Sequence, residues 1–309
     1  MGIAGNIKTN NSQIIGILWM ILHCFLISCV VTIAKLLGQK GFAPMQIVFF
    51  HSFVALLVLS PFALIKEGKN LMKTKKFSLH LSRGVLGSIS LFFYFLALKS
   101  IPLTDGRAIA LFSPVITFIF AVIFFKEKLD LKKGLALILS LIGGYIIINP
   151  AGVSFHIMSL LILAAMIMWS IIDLIIKKLS STESSVKQLF YLTFFLSLFS
   201  APFAIYSWKT PENPLDIFLL IFIGVIFLIN SLSVFLAIKH ADLTTLTPID
   251  FSGMIFTAIL SYLVFSEIIK INTLIGSVIV FLSSLYLIYQ ESRAGKELAR
   301  ISESNIQKE

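Results

Sequence analysis

Ten stretches of about 20 largely apolar residues follow one another along this chain, separated only by short polar breaks, and each is long enough to cross the hydrocarbon core of a bilayer as a helix. They run over 14–36, 44–65, 79–98, 103–125, 134–149, 155–176, 186–208, 215–238, 243–265 and 271–289. Membrane-barrel strands are about half as long and alternate apolar with polar residues, and these runs do neither. Only 13% of the residues are charged and 58% are hydrophobic, against roughly 25% charged in an average soluble domain. That much apolar surface must face lipid, so the expected fold is an all-α polytopic membrane protein with ten transmembrane helices. The first run exceeds a signal-peptide h-region and no small-x-small cleavage site follows it, so it is expected to stay as a span. Cys24 and Cys29, both inside it, are too few and too close for a disulfide framework or a metal site and read as small buried thiols.

Lysine and arginine give the direction. With the amino terminus in the cytoplasm, eighteen of them fall on that side, including Lys66, Lys69, Lys73, Lys75, Lys76 and the tail's Arg293 to Lys308. Six fall on the other: Lys35, Lys40, Lys99, Arg107, Lys209 and Lys270, while Arg83 lies within a span. The bias predicts both termini inside. It also accounts for the net charge of +10 as a topology signal. With no basic domain off the membrane, nucleic acid is excluded as a partner.

The chain is written twice. FLALKSIPLT, 95–104, returns as FLAIKHADLT, 235–244, and the same offset of 140 pairs Ile109 with Ile249, Thr117 with Thr257, Phe125 with Phe265 and Glu127 with Glu267. An offset of 142 pairs Ser28 with Ser170, Lys35 with Lys177 and Gln46 with Gln188. The expected units are a cytoplasmic amino terminus at 1–13, five helices at 14–149, five more at 150–289 and a charged cytoplasmic tail at 290–309. Five is odd, so the second unit enters the membrane upside down. Two inverted half-bundles can expose a central site to either side in turn, which is transporter logic, although duplication can also simply enlarge a bundle.

The paired units, with LTDGRAIALFSPVITFIFAVIFFKEKL and its partner TTLTPIDFSGMIFTAILSYLVFSEII, resemble the EamA domain of the drug/metabolite transporter superfamily over 14–289. A Pro in the fourth helix and a Glu just beyond it are typical of that family. The resemblance implies a ten-helix carrier of small metabolites in the bacterial inner membrane, commonly an exporter of amino acids or related solutes. HLSRGVLGS, AVIFFKEKL and IIDLIIKK are most similar to the family's S-adenosylmethionine uptake carriers. Where those carriers have a basic, tyrosine-rich stretch, this chain has PIDFSG at 248–253, and His51 stands where many members carry Arg.

Ionisable groups inside a span are costly and need a partner or a purpose. Asp250 lies about 10 Å into the ninth helix. It follows Pro248, which frees the carbonyl of Thr244, while Pro114 does the same for Ala110 in the fourth. Positions 110 and 250 are repeat equivalents, and paired helix breaks point to a central site. Asp250 is therefore read as a counter-charge to a cationic solute or as a proton carrier, with a structural bond to a neighbouring helix as the alternative. His51 could exchange a proton or be satisfied by one nearby hydroxyl. Arg83 could meet a carboxylate or phosphate, or snorkel to headgroups. Tyr94 and Trp169 could stack an adenine or hold a sulfonium by cation–π attraction. Asn230 could supply hydrogen bonds or join helices. Asp173 and Lys177, four apart, read as an intrahelical pair, Asp105 and Arg107 as a solvated outer rim, and Glu127 and Glu267 as acids suited to the start of the following helix.

No cofactor or metal is expected, and the chain has no GxxxxGK[ST] loop to serve as a nucleotide motor. A coupling proton or an exchange solute is the expected source of energy. A polytopic membrane enzyme is the competing class, but the five histidines are scattered and neither HExxH nor GxSxG occurs.

Overall fold

The computed structural model describes residues 10–113, 116, 119–120, 131–148, 156–180, 182–240, 249, 252–283 and 285–286. Ten helices run through them: α1 Asn10–Gln39, α2 Pro44–Glu67, α3 Phe77–Leu98, α4 Leu103–Ala110, α5 Leu131–Ile148, α6 Met158–Ser180, α7 Ser185–Tyr206, α8 Pro214–His240, α9 Ser252–Phe265 and α10 Ile271–Ser283. Six of them (α1, α2, α3, α6, α7 and α8) carry a stretch long and apolar enough to cross a bilayer, and α9 and α10 are shorter apolar helices. Each such helix satisfies its own backbone, so its side chains decide which face turns inward. On α2, for instance, Gln46, His51, Ser52, Ala55 and Leu59 are buried, while Leu57, Val58, Phe62 and Ile65 stay exposed as a surface for lipid chains.

The helices pack between the halves more than within them. α1 lies against α8 and α9, and α6, its counterpart in the second unit, lies against α3 and α4. The second and third helices cross over in the same way, α2 on α8 and α3 on α7, while α2 meets α7 directly. Every one of these contacts has its mirror under exchange of the two units. Inverted repeats joined in this manner have a two-fold relation across the bundle. α5 and α10 also face each other, crossing where a Cβ built on Gly276 would sit 2.5 Å from the carbonyl oxygen of Gly143. Two glycines there let the backbones touch, a close approach common between membrane helices.

Polar residues gather at the two ends of the bundle. At one end Lys40 pairs with Asp216, Lys209 donates to the Lys40 carbonyl at 2.6 Å, and the Gln46 side chain bonds both the N–H and C=O of Lys209. At the other, Thr74 donates to Glu183 at 2.7 Å, Ser184 donates to Glu67, and Lys187 reaches both Glu183 and the Lys73 carbonyl. The Glu183 carboxyl is raised by desolvation, but the bonds from Thr74 and Lys187 and the nearby charges outweigh that and hold it below its ordinary value.

Candidate functional site

The two-fold relation can be followed to single atoms in the middle of the bundle. Ser28 on α1 donates to the Gly253 carbonyl of α9 at 3.2 Å, and Ser170 on α6 donates to the Ser113 carbonyl at 3.2 Å. Serines 28 and 170 are repeat equivalents, and so are positions 113 and 253. Each serine also bonds back within its own helix, to the Cys24 and Met166 carbonyls, which are equivalents too. Ser28 further lies 3.0 Å from the Thr257 hydroxyl. These are the seams where the first helix of one half meets the fourth helix of the other.

α4 departs most from expectation. Every residue of it is buried except Arg107 and Ala110, one turn apart. Asp105 is no solvated rim: it accepts from Lys270 at 2.9 Å and from Thr273, and only 9% of it is exposed. Arg107 is no rim residue either. Its guanidinium lies against α9, where a Cβ on Gly253 would be 2.5 Å from Nη2 and 3.2 Å from Cζ. Its charge also reaches the buried Tyr94 of α3. The helix ends at Ala110 with tighter bonds, Leu111 N–H to the Ala108 carbonyl at 3.2 Å and Phe112 N–H to that of Ile109 at 3.0 Å. Pro114, Pro248 and Asp250 lie outside the described residues.

His51 on α2 is buried, its ring 3.8 Å from that of Phe227 on α8 and edge-on to Phe95 on α3 at 6.1 Å. Its Nδ1 has no hydrogen-bond partner among the described residues. Asn230, one turn beyond Phe227, is buried, and its Oδ1 has no partner among the described residues. His51, Asn230 and Tyr94 thus come from three helices that converge on Phe95 and Phe227. Arg83 stands apart, about 16 Å down α3 from Tyr94. It turns inward and does not snorkel: it is 4% exposed, and Nη1 donates to the Gln188 carbonyl at 3.3 Å. Its charge also acts on Asp173 of α6, across the helix interface, while the side chain of Lys177, the expected intrahelical partner of Asp173, lies outside the described residues. Trp169, half-buried, precedes the bridging Ser170.

A pair that sequence reasoning did not join closes one end of the bundle. Lys35, 2% exposed, donates to Glu267 and to the Ile101 carbonyl at 2.7 Å, with Phe265 beneath it at 4.9 Å. Glu267 also accepts from the Leu103 N–H at 2.9 Å and from the Ser261 hydroxyl at 2.6 Å. Ser266, held at φ 55°, ends α9 in the left-handed region, a turn a glycine makes more readily, and so folds Glu267 back over its own helix. Desolvation raises the Glu267 carboxyl, but the Lys35, Ser261 and Leu103 bonds outweigh it and hold it below the ordinary carboxylate range. The signal for this pair was present, since Lys35 and Glu267 each have a repeat equivalent; what was missing was that α1 and α9 touch. Beside the pair, a cavity of about 160 Å³ is lined by Ser100, Pro102, Asp105, His156, Lys270 and Thr273 among others. None of the described solute-site candidates borders it.

A membrane-spanning bundle of two inverted five-helix halves, with polar seams at its centre and an ion pair across one mouth, is the architecture of a membrane transporter. The chain belongs to the EamA-like transporter family, which matches residues 14–149 and 156–289. It is 30% identical to the S-adenosylmethionine uptake transporter of Rickettsia bellii (strain RML369-C) over 91% of this chain and 95% of that one. It is 25% identical to a riboflavin transporter of Vibrio cholerae, over 93% and 97% of the two chains, and 24% identical to the pseudopaline exporter CntI of Pseudomonas aeruginosa, over 78% and 85%. A solved crystal structure superposes with a TM-score of 0.61 at 16% identity, covering 93% of this chain and 99% of its own, which supports the fold alone. The protein is a multi-pass membrane transporter of small metabolites and not an enzyme.

Proposed function

We propose that this transporter is a secondary carrier that takes up S-adenosylmethionine by alternating access, in exchange for another solute or coupled to a proton. The observation that carries the mechanism is the mirrored pair of seams, Ser28 to Gly253 and Ser170 to Ser113. Two equivalent hinges let the half-bundles rock about one site without changing their contacts. The Lys35–Glu267 end is the closed end in this state, and the positive-inside bias makes it the outer face, with both termini cytoplasmic in the inner membrane. In this reading the solute site lies between α2, α3, α4, α8 and α9, from which Tyr94, His51 and Asn230 come. Asp250, Pro114 and Pro248 belong to it on sequence grounds, Trp169 flanks the α6 seam, and Arg83 serves the opposite mouth. The units 14–149 and 150–289 are the rocking bodies.

Purified protein in vesicles tests this by uptake of labelled S-adenosylmethionine, with and without S-adenosylhomocysteine inside. Saturable uptake accelerated by the internal solute is the expected result. A well-folded preparation that moves neither compound would exclude this substrate. Export of an amino-acid-derived solute is the second reading, favoured by the likeness to the pseudopaline exporter.

A further inference from the structure

We propose that Arg107 is the residue that recognises the solute, and that it does so by binding a carboxylate, so that this carrier accepts carboxylate-bearing metabolites and rejects otherwise similar ones. The proposal rests on the transport reading above and adds the substrate's chemical class to it. A cation inside a spanning bundle is tolerated where it faces the interior or a water-filled path. Arg107 meets that condition. It is half-exposed on an otherwise buried turn, and its guanidinium contacts α9 about 18 Å from that helix's end at Phe265.

The surroundings suit an anion. Gly253 leaves the space the guanidinium occupies, and any side chain there would strike Nη2. The neighbouring Ser252 carries a buried hydroxyl with no hydrogen-bond partner among the described residues. Tyr94 is buried on α3, and the Arg107 charge acts on it. A guanidinium has five N–H donors in a planar fork that matches a carboxylate with two parallel bonds, so it can hold a protein partner and a solute at once. Arg107 also breaks the two-fold relation, since the repeat places Thr247 at the equivalent position. A solute that is itself asymmetric needs one such group that the repeat does not duplicate. Arg83 cannot take this part from where it stands, because it bonds to the Gln188 carbonyl and is coupled to Asp173 near the opposite end.

The experiment compares wild type, Arg107→Lys, Arg107→Gln and Gly253→Ala in the same vesicles. Inhibition of labelled S-adenosylmethionine uptake is measured with unlabelled S-adenosylmethionine and with its decarboxylated analogue. In the wild type the decarboxylated compound should inhibit at least about tenfold more weakly, the worth of one charged hydrogen bond. In Arg107→Gln that preference should vanish and the half-saturation concentration should rise by a similar factor. Arg107→Lys should keep part of the preference, and Gly253→Ala, which displaces the guanidinium without removing it, should lose most of it. Equal inhibition by both compounds in the wild type, or a preference that survives Arg107→Gln, would overturn the proposal. If the wild type moves no S-adenosylmethionine, that substrate fails and the class is read from thermal stabilisation by matched pairs such as methionine and methioninamide. Stabilisation by the acid alone, lost in Arg107→Gln, supports the carboxylate site. Stabilisation independent of the carboxylate, or by neither compound, counts against it.

Discussion

Replacing Glu267 by Gln should cost more stability than removing both members of its ion pair. The neutral amide takes the opposite charge away from the Lys35 ammonium, 2% exposed, and leaves it an amide oxygen, the Ile101 carbonyl at 2.7 Å, the Phe265 ring at 4.9 Å and the more distant Asp105 charge. Breaking a buried pair from one side typically costs about 3–5 kcal/mol, because an uncompensated charge remains. The Ile101 bond persists and Glu267 is itself 21% exposed, so the low end of the range applies, about 3 kcal/mol, or roughly 150-fold in the equilibrium. Adding Lys35→Met removes the stranded charge. The double variant should then recover about 2 kcal/mol, since a buried pair is worth little more than an apolar replacement of similar volume. Denaturation of the four proteins of this cycle in one detergent gives the coupling directly. A Glu267→Gln variant as stable as wild type, or a double variant whose loss is the sum of the two single losses, would refute this account of the pair.

The same carboxylate sets a pH dependence. Its folded pKa is depressed, so its contribution is complete above the unfolded value of about 4.3 and disappears as pH falls through the lower folded value. The stability gap between wild type and Glu267→Gln should therefore be constant from pH 8 to 5 and close only below about pH 4, as melting in detergent can follow. His51→Phe should raise stability by about 1 kcal/mol, because it removes a buried unpartnered nitrogen from between two phenylalanines. It should also lower uptake; unchanged uptake would remove His51 from the site. Gly276→Ala should cost about 2 kcal/mol or more, since the new methyl meets the rigid Gly143 carbonyl at 2.5 Å. Melting checks this too, and an unchanged midpoint would mean that α5 and α10 separate without penalty.

Spans and repeat were legible in the sequence because lipid imposes length and composition, and duplication leaves letters at fixed offsets. The surroundings of the proposed site were less legible, for a geometric reason. Arg107 stands four residues from the start of α4, which on a helix diagram places it near the surface. The length of its side chain, and the fact that α4 crosses α9 at a glycine, carry its charge inward instead. The spacing that joins Asp173 to the lysine four residues along is visible in one dimension, while the action of the Arg83 charge on it depends on α3 meeting α6. Asp105 has the same history: its partners Lys270 and Thr273 are 165 and 168 residues away. Single-chain spacing rules find neighbours on one helix, and the bonds that matter here join the halves.

The mirrored serine seams have an energetic corollary. In the proposed mechanism, rocking exchanges the roles of two bonds of equal length between equivalent residues, so whatever one loses on tilting the other gains. The hinge itself is then level, with no resting preference for either facing. Any bias between the two orientations has to come from residues the duplication did not copy, such as Arg107 opposite Thr247, or Asp105 opposite Thr245. Substitutions at those unmatched positions should tilt the resting orientation, while matched changes at both serines should alter the speed of exchange and leave its balance alone.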